Sequence, residues 1–453
     1  MPFSISLSQL LEVLIDTPKN LASSELNYLI QGVSTDTRSL KCGELFVALR
    51  GSNFDGHEFV QAAVAKGAIA VVTEKDFGNQ LQEGIPQLVV KDTLEAYQAI
   101  AQWWRNQLKI PVIAVTGSFG KTTTKELIGA VLATQGKVLK TQANYNNEIG
   151  VPKTLLELSL EHDFAVIEMA MRGRGEIALL SKIARPNIGI ITNVGTAHIG
   201  RLGSEEAIAQ AKCELLAEMP SDSLAILNAD NPLLMATAAQ VWRGKTLTYG
   251  LETGDLQGKL IDSQSMMVEG INLPLPLPGR HNAQNYLAAL AVAKVLGIDL
   301  TQFSQGLAVQ LPEGRAKRYD LPDDLVILDE TYNAGLESMV AALHLLAETP
   351  GKRHIAVLGT MKELGERSAQ LHFQIGEKVK QLKLDNLLIF LDEPETAEIA
   401  NGAAGISVEC FTNHQAIVDR LKELVQPGDR ILFKASHSVA LDKVVNQFRE
   451  LVK

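Results

Sequence analysis

Residues 112–130 read VIAVTGSFGKTTTKELIGA. A short apolar run passes through a glycine-containing turn into a lysine, three threonines and a helix-forming segment. The common phosphate-binding loop carries a second glycine five positions before the one that precedes its lysine. Here that position is Val115, and the nearest upstream glycine is Gly117. A strand ending at Val115 and a helix starting near Lys121 still aim the N–H groups of residues 117–122 at the helix's positive end, which favours an anion. Gly117, Ser118 and Gly120 are small enough to admit phosphate oxygens, Lys121 can reach the β- and γ-phosphates, and the Thr122 hydroxyl can ligate Mg²⁺. The competing reading is a plain strand-to-helix turn with a capping threonine. Glycine, lysine and threonine all standing where the context needs them favours phosphate, while the short spacing counts against a motor or GTPase loop.

Outward from this loop, strand and helix signals alternate. VIAV (112–115), KVLKT (137–141), FAVIEM (164–169), NIGIITNV (187–194) and LAILNAD (224–230) are short apolar runs separated by helical or polar stretches. That rhythm predicts a parallel sheet with helices on both faces. An alanine-rich helix follows PLPLPGRHN and ends at Gly297. A second series, LVILDE, HIAVLG, NLLIFL, ISVECF and RILFKAS (325–436), predicts a separate doubly wound domain. Before residue 92, GELFVALRG, AIAVVTE and QLVV suggest short strands with little helix between them, and TLEAYQAIAQWWRNQ a bridging helix. The fold class expected is therefore α/β in three domains. A small mixed α/β domain spans 1–91, a central P-loop-type parallel-sheet ATPase domain 92–312, and a C-terminal Rossmann-like domain 313–453.

The composition agrees. The chain has 453 residues, 46% of them apolar, enough for two or three cores. A formal charge of −10 argues against nucleic-acid or membrane-surface binding as the main task. Cys42, Cys213 and Cys410 form neither a metal spacing nor an even disulfide set, as in a reducing compartment. The first 18 residues lack a basic start and carry Glu12 and Asp16, unlike a signal peptide. No uncharged run approaches the ~20 residues of a membrane span.

Further motifs lie on the same sheet edge. Glu168 closes FAVIE, where an acid can hold Mg²⁺ or simply cap a turn. His198, in TNVGTAHIGRLGS, follows the next strand on the edge where open α/β sheets bind ligands. Asn146 and Asn147 in NYNNEIGVP can meet a phosphate or sugar, or cap the following helix. Asn282 and Asn285 in GRHNAQN share a helix face, where an amide suits an adenine edge and Asn282 equally suits a cap. Arg315, in PEGRAKRYD, can reach a transferring phosphate, while Lys317 and Arg318 read as solvated charge.

Taken in order, TGSFGKTTTKEL, NYNNEIGVP, FAVIEMA, NVGTAHIGRLGS, AQAKCELL, LPGRHNAQN, EGRAKRYD and DETYNAG closely resemble the Mur ligases, ATP-dependent amide-forming enzymes of peptidoglycan synthesis. The likeness spans essentially the whole chain, and the family's loop is itself the short TG-x-x-GKT form. GVSTDTRSLKCGELFVALRG, LPLPGRHN, DETYNAGLESM and MKELGERS point to the branch that adds D-alanyl-D-alanine to UDP-N-acetylmuramoyl-tripeptide. The alternative is a Mur-type or folylpolyglutamate-type ligase that adds a single amino acid. The resemblance implies that a carboxylate attacks the γ-phosphate of MgATP, giving an acyl phosphate and ADP. The incoming amine then displaces phosphate.

Residue by residue, the resemblance implies that Gly117, Ser118, Gly120, Lys121, Thr122 and Thr123 hold ATP phosphate. Thr122 and Glu168 would hold a first Mg²⁺, and Glu168 with His198 and a carbamylated Lys212 a second. Asn147 and Arg315 would contact the γ-phosphate, Asn282 and Asn285 adenine, and Asp329 ribose. Lys121, Lys212, His198 and Arg315 form the catalytic set. Ser34, Thr35, Asp36 and Arg38 fall in the segment that holds UDP, although TDTR alone reads as a polar turn. Asn333 is assigned to the D-alanyl-D-alanine side. The enzyme implied is a cytoplasmic monomer acting on small molecules, with no nucleic-acid or membrane partner. Two positions depart from the family pattern: Thr360 replaces an acid in GTMKELG, and His437 replaces an arginine in KASHS.

Overall fold

The computed structural model describes residues 3–14, 25–51, 53–82 and 84–452. Asp16, used above in reading the first residues, lies outside them. Three main sheets organise the described chain.

The first is a four-stranded parallel sheet of Val33–Ser34, Leu45–Val47, Ala70–Thr73 and Gln87–Val89. A short helix, Val60–Ala65, fills one connection that the strand runs did not signal. The bridging helix is found over Thr93–Gln107, where Asp92 accepts hydrogen bonds from Leu94 N and Glu95 N as its N-cap.

The central sheet has nine strands. Val112–Thr116 lies between Phe164–Glu168 and Ile188–Ile191, all parallel. Alternate residues of Val112–Thr116 face opposite sides and are buried on both, which is why the strand reads as a continuous apolar run. Ile113 and Val115 pack under helices Lys121–Leu132 and Arg280–Val295. Val112 and Ala114 pack beneath Thr93–Gln107 and the helices Gly150–Leu156, Glu176–Ala184 and Glu205–Ala217. The far side of the sheet differs from expectation: Ser265–Val268 and Ile271–Pro274 extend it antiparallel. Their hairpin turns at Glu269 and Gly270, both with positive φ, and Glu-Gly is not among the pairs that mark such a turn in a sequence.

The third sheet has six strands, five parallel and one antiparallel edge strand, Lys317–Leu321. Lys317 and Arg318 sit on that edge, where Arg318 is exposed and pairs with Asp320 at 2.7 Å. Strands Leu325–Asp329 and Asp429–Lys434 end facing the phosphate loop, so the carboxyl edges of two sheets enclose one cleft. Among the described residues, no helix is long and apolar enough to cross a membrane.

Candidate active site

The cleft between the central and C-terminal sheets has a volume of ≈ 260 Å³. Its floor is the loop 117–120, whose glycines are sterically required. A Cβ on Gly117 would stand 1.9 Å from Thr192 Oγ1, and one on Gly120, at φ +76°, would stand 2.5 Å from Asn285 Oδ1. Asn193 braces the loop: its Oδ1 accepts from Phe119 N at 3.0 Å, and its backbone O from Ser118 N at 3.1 Å. The Ser118 hydroxyl accepts from Gly195 N at 2.9 Å. Lys121 Nζ folds back to donate to Gly117 O at 2.9 Å. Burial lowers the Lys121 pKa and nearby Glu168 opposes that effect.

Thr122 Oγ1 donates to Glu168 Oε2 at 2.7 Å, and Asn146 Nδ2 donates to Glu168 Oε1 at 2.8 Å. Thr123 also lines the cleft. Asn146 is thus the asparagine beside the acid. Asn147 instead uses Oδ1 to accept from Gly150 N at 2.9 Å, closing the turn into the next helix, and it does not line the cleft. Behind Glu168 lies Lys125, one helical turn beyond Lys121 and fully buried. It donates to Thr141 O at 2.7 Å and pairs with Glu126 at 2.9 Å, a buried pair that helix patterning did not reveal.

His198 lines the cleft with a left-handed backbone, and its Nδ1 is 2.5 Å from Glu363 Oε2 of the C-terminal unit. Burial and nearby Lys121 lower its pKa, while Glu363 acts the other way. Lys212 is buried on helix Glu205–Ala217, its side chain makes no hydrogen bond or ion pair with the described residues, and it is not among the residues that line the cleft. Burial, with help from Lys121, drives its pKa well below the usual lysine value.

From the other side, Asn282 and Asn285 are buried against the loop helix. Asn285 Oδ1 accepts from Thr124 Oγ1 at 3.2 Å, and Asn282 Nδ2 donates to Pro278 O at 2.8 Å. Arg315 lies over the Tyr332 ring at 3.8 Å with its buried Nε lacking a hydrogen-bond partner. Tyr332 also stacks on His437, with ring centres 5.3 Å apart. Asn333 lines the cleft, and its backbone O accepts from Lys434 Nζ at 3.0 Å. Lys434 is a cleft cation that the motif reading passed over, and burial lowers its pKa. Asp329 does not line the cleft. Its carboxylate accepts from Thr331 Oγ1 at 2.6 Å, and burial raises its pKa despite those bonds. Thr360 is buried and its hydroxyl donates to Asp392, so the segment after strand Asn386–Phe390 supplies an acid at that point.

The four N-terminal candidates lie apart from this cleft. Ser34 Oγ donates to Asp36 O at 3.0 Å, and Arg38 NH2 donates to Asp36 Oδ2 at 2.7 Å, with Thr35 between. Hydrogen bonds from the Arg38 side chain and backbone hold the Asp36 carboxyl at about 2.

Three family models match successive parts of the chain: the Mur ligase family catalytic domain at residues 29–105, the Mur ligase middle domain at 115–293, and the Mur ligase glutamate ligase domain at 314–437. The chain belongs to the Mur ligase family. Among its Mur ligase relatives, the UDP-N-acetylmuramoyl-tripeptide–D-alanyl-D-alanine ligase of Synechocystis is 60% identical over 418 residues, 92% of each chain. The enzyme of that name from Escherichia coli is 37% identical over 99% of each chain. The crystal structure of MurF from Acinetobacter baumannii matches with a TM-score of 0.89 at 31% identity, covering 99% of each chain. The MurF ligase of Thermotoga maritima in complex with ADP gives a TM-score of 0.83 at 30% identity, covering 93% of this chain and 98% of that one.

Proposed function

We propose that this Mur ligase uses ATP to join D-alanyl-D-alanine to UDP-N-acetylmuramoyl-tripeptide, releasing ADP and phosphate during peptidoglycan precursor synthesis. The observation that carries the reading is the meeting, in one cleft, of cations from two domains over a glycine-lined loop. Lys121 comes from the loop, and Arg315 and Lys434 come from the C-terminal unit. They suit a phosphoryl group whose charge spreads during transfer. Arg315's unpartnered Nε is a donor still to be used. Full-length similarity to UDP-N-acetylmuramoyl-tripeptide–D-alanyl-D-alanine ligases supports the choice of amine.

We assign residues 1–91 to the UDP end, with Ser34, Thr35, Asp36 and Arg38 there, 92–312 to ATP, and 313–453 to the amine, with Asn333 on that side. Asn147, Asn282, Asn285 and Asp329 keep their assignments to γ-phosphate, adenine and ribose, although Asn147 and Asp329 would have to turn or shift to reach the cleft. Among the described residues, no three His, Cys, Asp or Glu side chains form a metal cage. The adjoining Thr122 hydroxyl and Glu168 carboxylate suit Mg²⁺, which is usually held by one or two carboxylates, waters and substrate phosphates. Thr122 and Glu168 would hold one ion, and Glu168, His198 and carbamylated Lys212 a second. Bound Mg²⁺ would offset phosphate charge as ADP leaves.

Lys212 supports the carbamate reading because it is buried without an ionic partner and its amine is pushed toward neutrality. A neutral amine adds to CO₂ and loses one proton, leaving an anion where a cation would repel metal. Glu337 and Glu363 tie the C-terminal unit to the loop that carries His198, and a docked arrangement of this kind would shield an acyl phosphate from water. We assign the enzyme as a monomer acting on small molecules, and the nucleotide substrates suit the cytoplasm.

The deciding assay measures ADP release from UDP-N-acetylmuramoyl-tripeptide with and without D-alanyl-D-alanine. Turnover is expected with the dipeptide and should rise when bicarbonate is added to CO₂-depleted buffer. Release with a single amino acid but not with the dipeptide would assign the chain to the alternative branch.

A further inference from the structure

Two non-glycine residues with left-handed backbones meet across the boundary between the central and C-terminal sheets. His198 has φ +66° and Glu363 φ +64°, and their side chains join through Nδ1 and Oε2 at 2.5 Å. Such backbones persist only where the surroundings impose them. Here the surroundings are close. Glu363 O accepts from Gly200 N at 3.1 Å, and a Cβ on Gly200 would stand 2.5 Å from Gly365 N. Arg201 reaches the same carboxylate at 3.2 Å. Glu337 grips the loop just before His198, accepting from Thr196 N at 2.7 Å and Thr196 Oγ1 at 3.1 Å. Residues 195–201 belong to the central unit, yet Glu337 and Glu363 of the C-terminal one hold Thr196, His198, Gly200 and Arg201.

We infer that Glu363 is a positioning residue: it takes up Nδ1 of His198, leaves Nε2 for the cleft, and so makes the metal-ligating face of His198 depend on docking of the C-terminal domain. The inference rests on the reading of His198 as a Mg²⁺ ligand and adds what orients it. A carboxylate on the far nitrogen of a ligating histidine fixes the ring and its tautomer, and removing such a partner typically costs 10–100-fold in metal affinity.

The test uses the full chain with Mn²⁺ as a paramagnetic probe, bicarbonate and a non-hydrolysable ATP analogue, and follows Mn²⁺ affinity by EPR and domain docking by small-angle scattering. Glu363→Gln should weaken the His198-dependent Mn²⁺ about 10- to 100-fold. The double variant with His198→Ala should bind no more weakly than His198→Ala alone, because both changes act through one ring. Gly200→Ala, which touches neither side chain but blocks the backbone approach, should give a more open particle and a similar loss. Full Mn²⁺ affinity in Glu363→Gln, with affinity lost in His198→Ala, would overturn the inference and leave the metal reading intact. So would losses that multiply in the double variant. Unchanged affinity in His198→Ala would overturn both.

Discussion

The Thr122 hydroxyl and the Glu168 carboxylate share a 2.7 Å hydrogen bond between the loop helix and a strand of the central sheet. Each lies where a phosphate-bound cation would draw both oxygens to itself. Glu168→Gln keeps the shape and removes the charge, so ADP release should fall by at least about 100-fold, more than loss of an outer partner costs. The melting temperature should change little. A variant that retained turnover would remove Glu168 from the chemistry.

Gly120 tests the loop. Its φ of +76° and its approach to Asn285 both oppose a side chain. Gly120→Ala should destabilise the protein by about 1–3 kcal/mol and weaken nucleotide binding. Thermal melts with and without ATP would separate the two effects, because bound nucleotide should add less stability to the variant than to the parent.

Thr360 already donates to Asp392. Installing the family's acid as Thr360→Asp would set a buried carboxylate beside Asp392, which Lys362 pairs at 2.6 Å, and should cost about 1–3 kcal/mol. The exchange Thr360→Asp with Asp392→Thr should recover most of that loss in denaturant titrations.

His281, in the first turn of helix Arg280–Val295 and lining the cleft, gives a pH signature. Burial, aided by Lys434, lowers its pKa to about 4, whereas an unfolded histidine titrates near 6.5. Between those values the unfolded chain binds more protons, so stability rises with pH there. The contribution is fully present above about 6.5 and is lost as pH falls toward about 4. His281→Gln should flatten that part of the stability–pH curve, measured by urea unfolding.

The parallel strands were legible because strands buried on both faces must read as short apolar runs between helices. The hairpin at 265–274 was not, since its Met-rich strand carries little β-branched signal. In the site, the loop glycines and Lys121 are readable because their spacing follows the chain. Lys434 and Glu337 reach the cleft, and Glu363 reaches His198, from the C-terminal unit, and no periodicity in one element reports where a second domain will dock. Lys212 is the sharpest case: on its own the sequence reads it as an ordinary helix lysine, and only packing shows it buried and unpaired.

One apolar cluster runs from Ile5 and Leu7 through Trp104, Ile167 and Ile208 to Leu343 and Leu432. It joins residues associated with all three main sheets, so the cores are not insulated from one another. Cutting the chain between sheets would strip cover from apolar side chains on both sides of the cut. Separate pieces should therefore be prone to aggregate, and heat damage that starts in one unit should spread to the others.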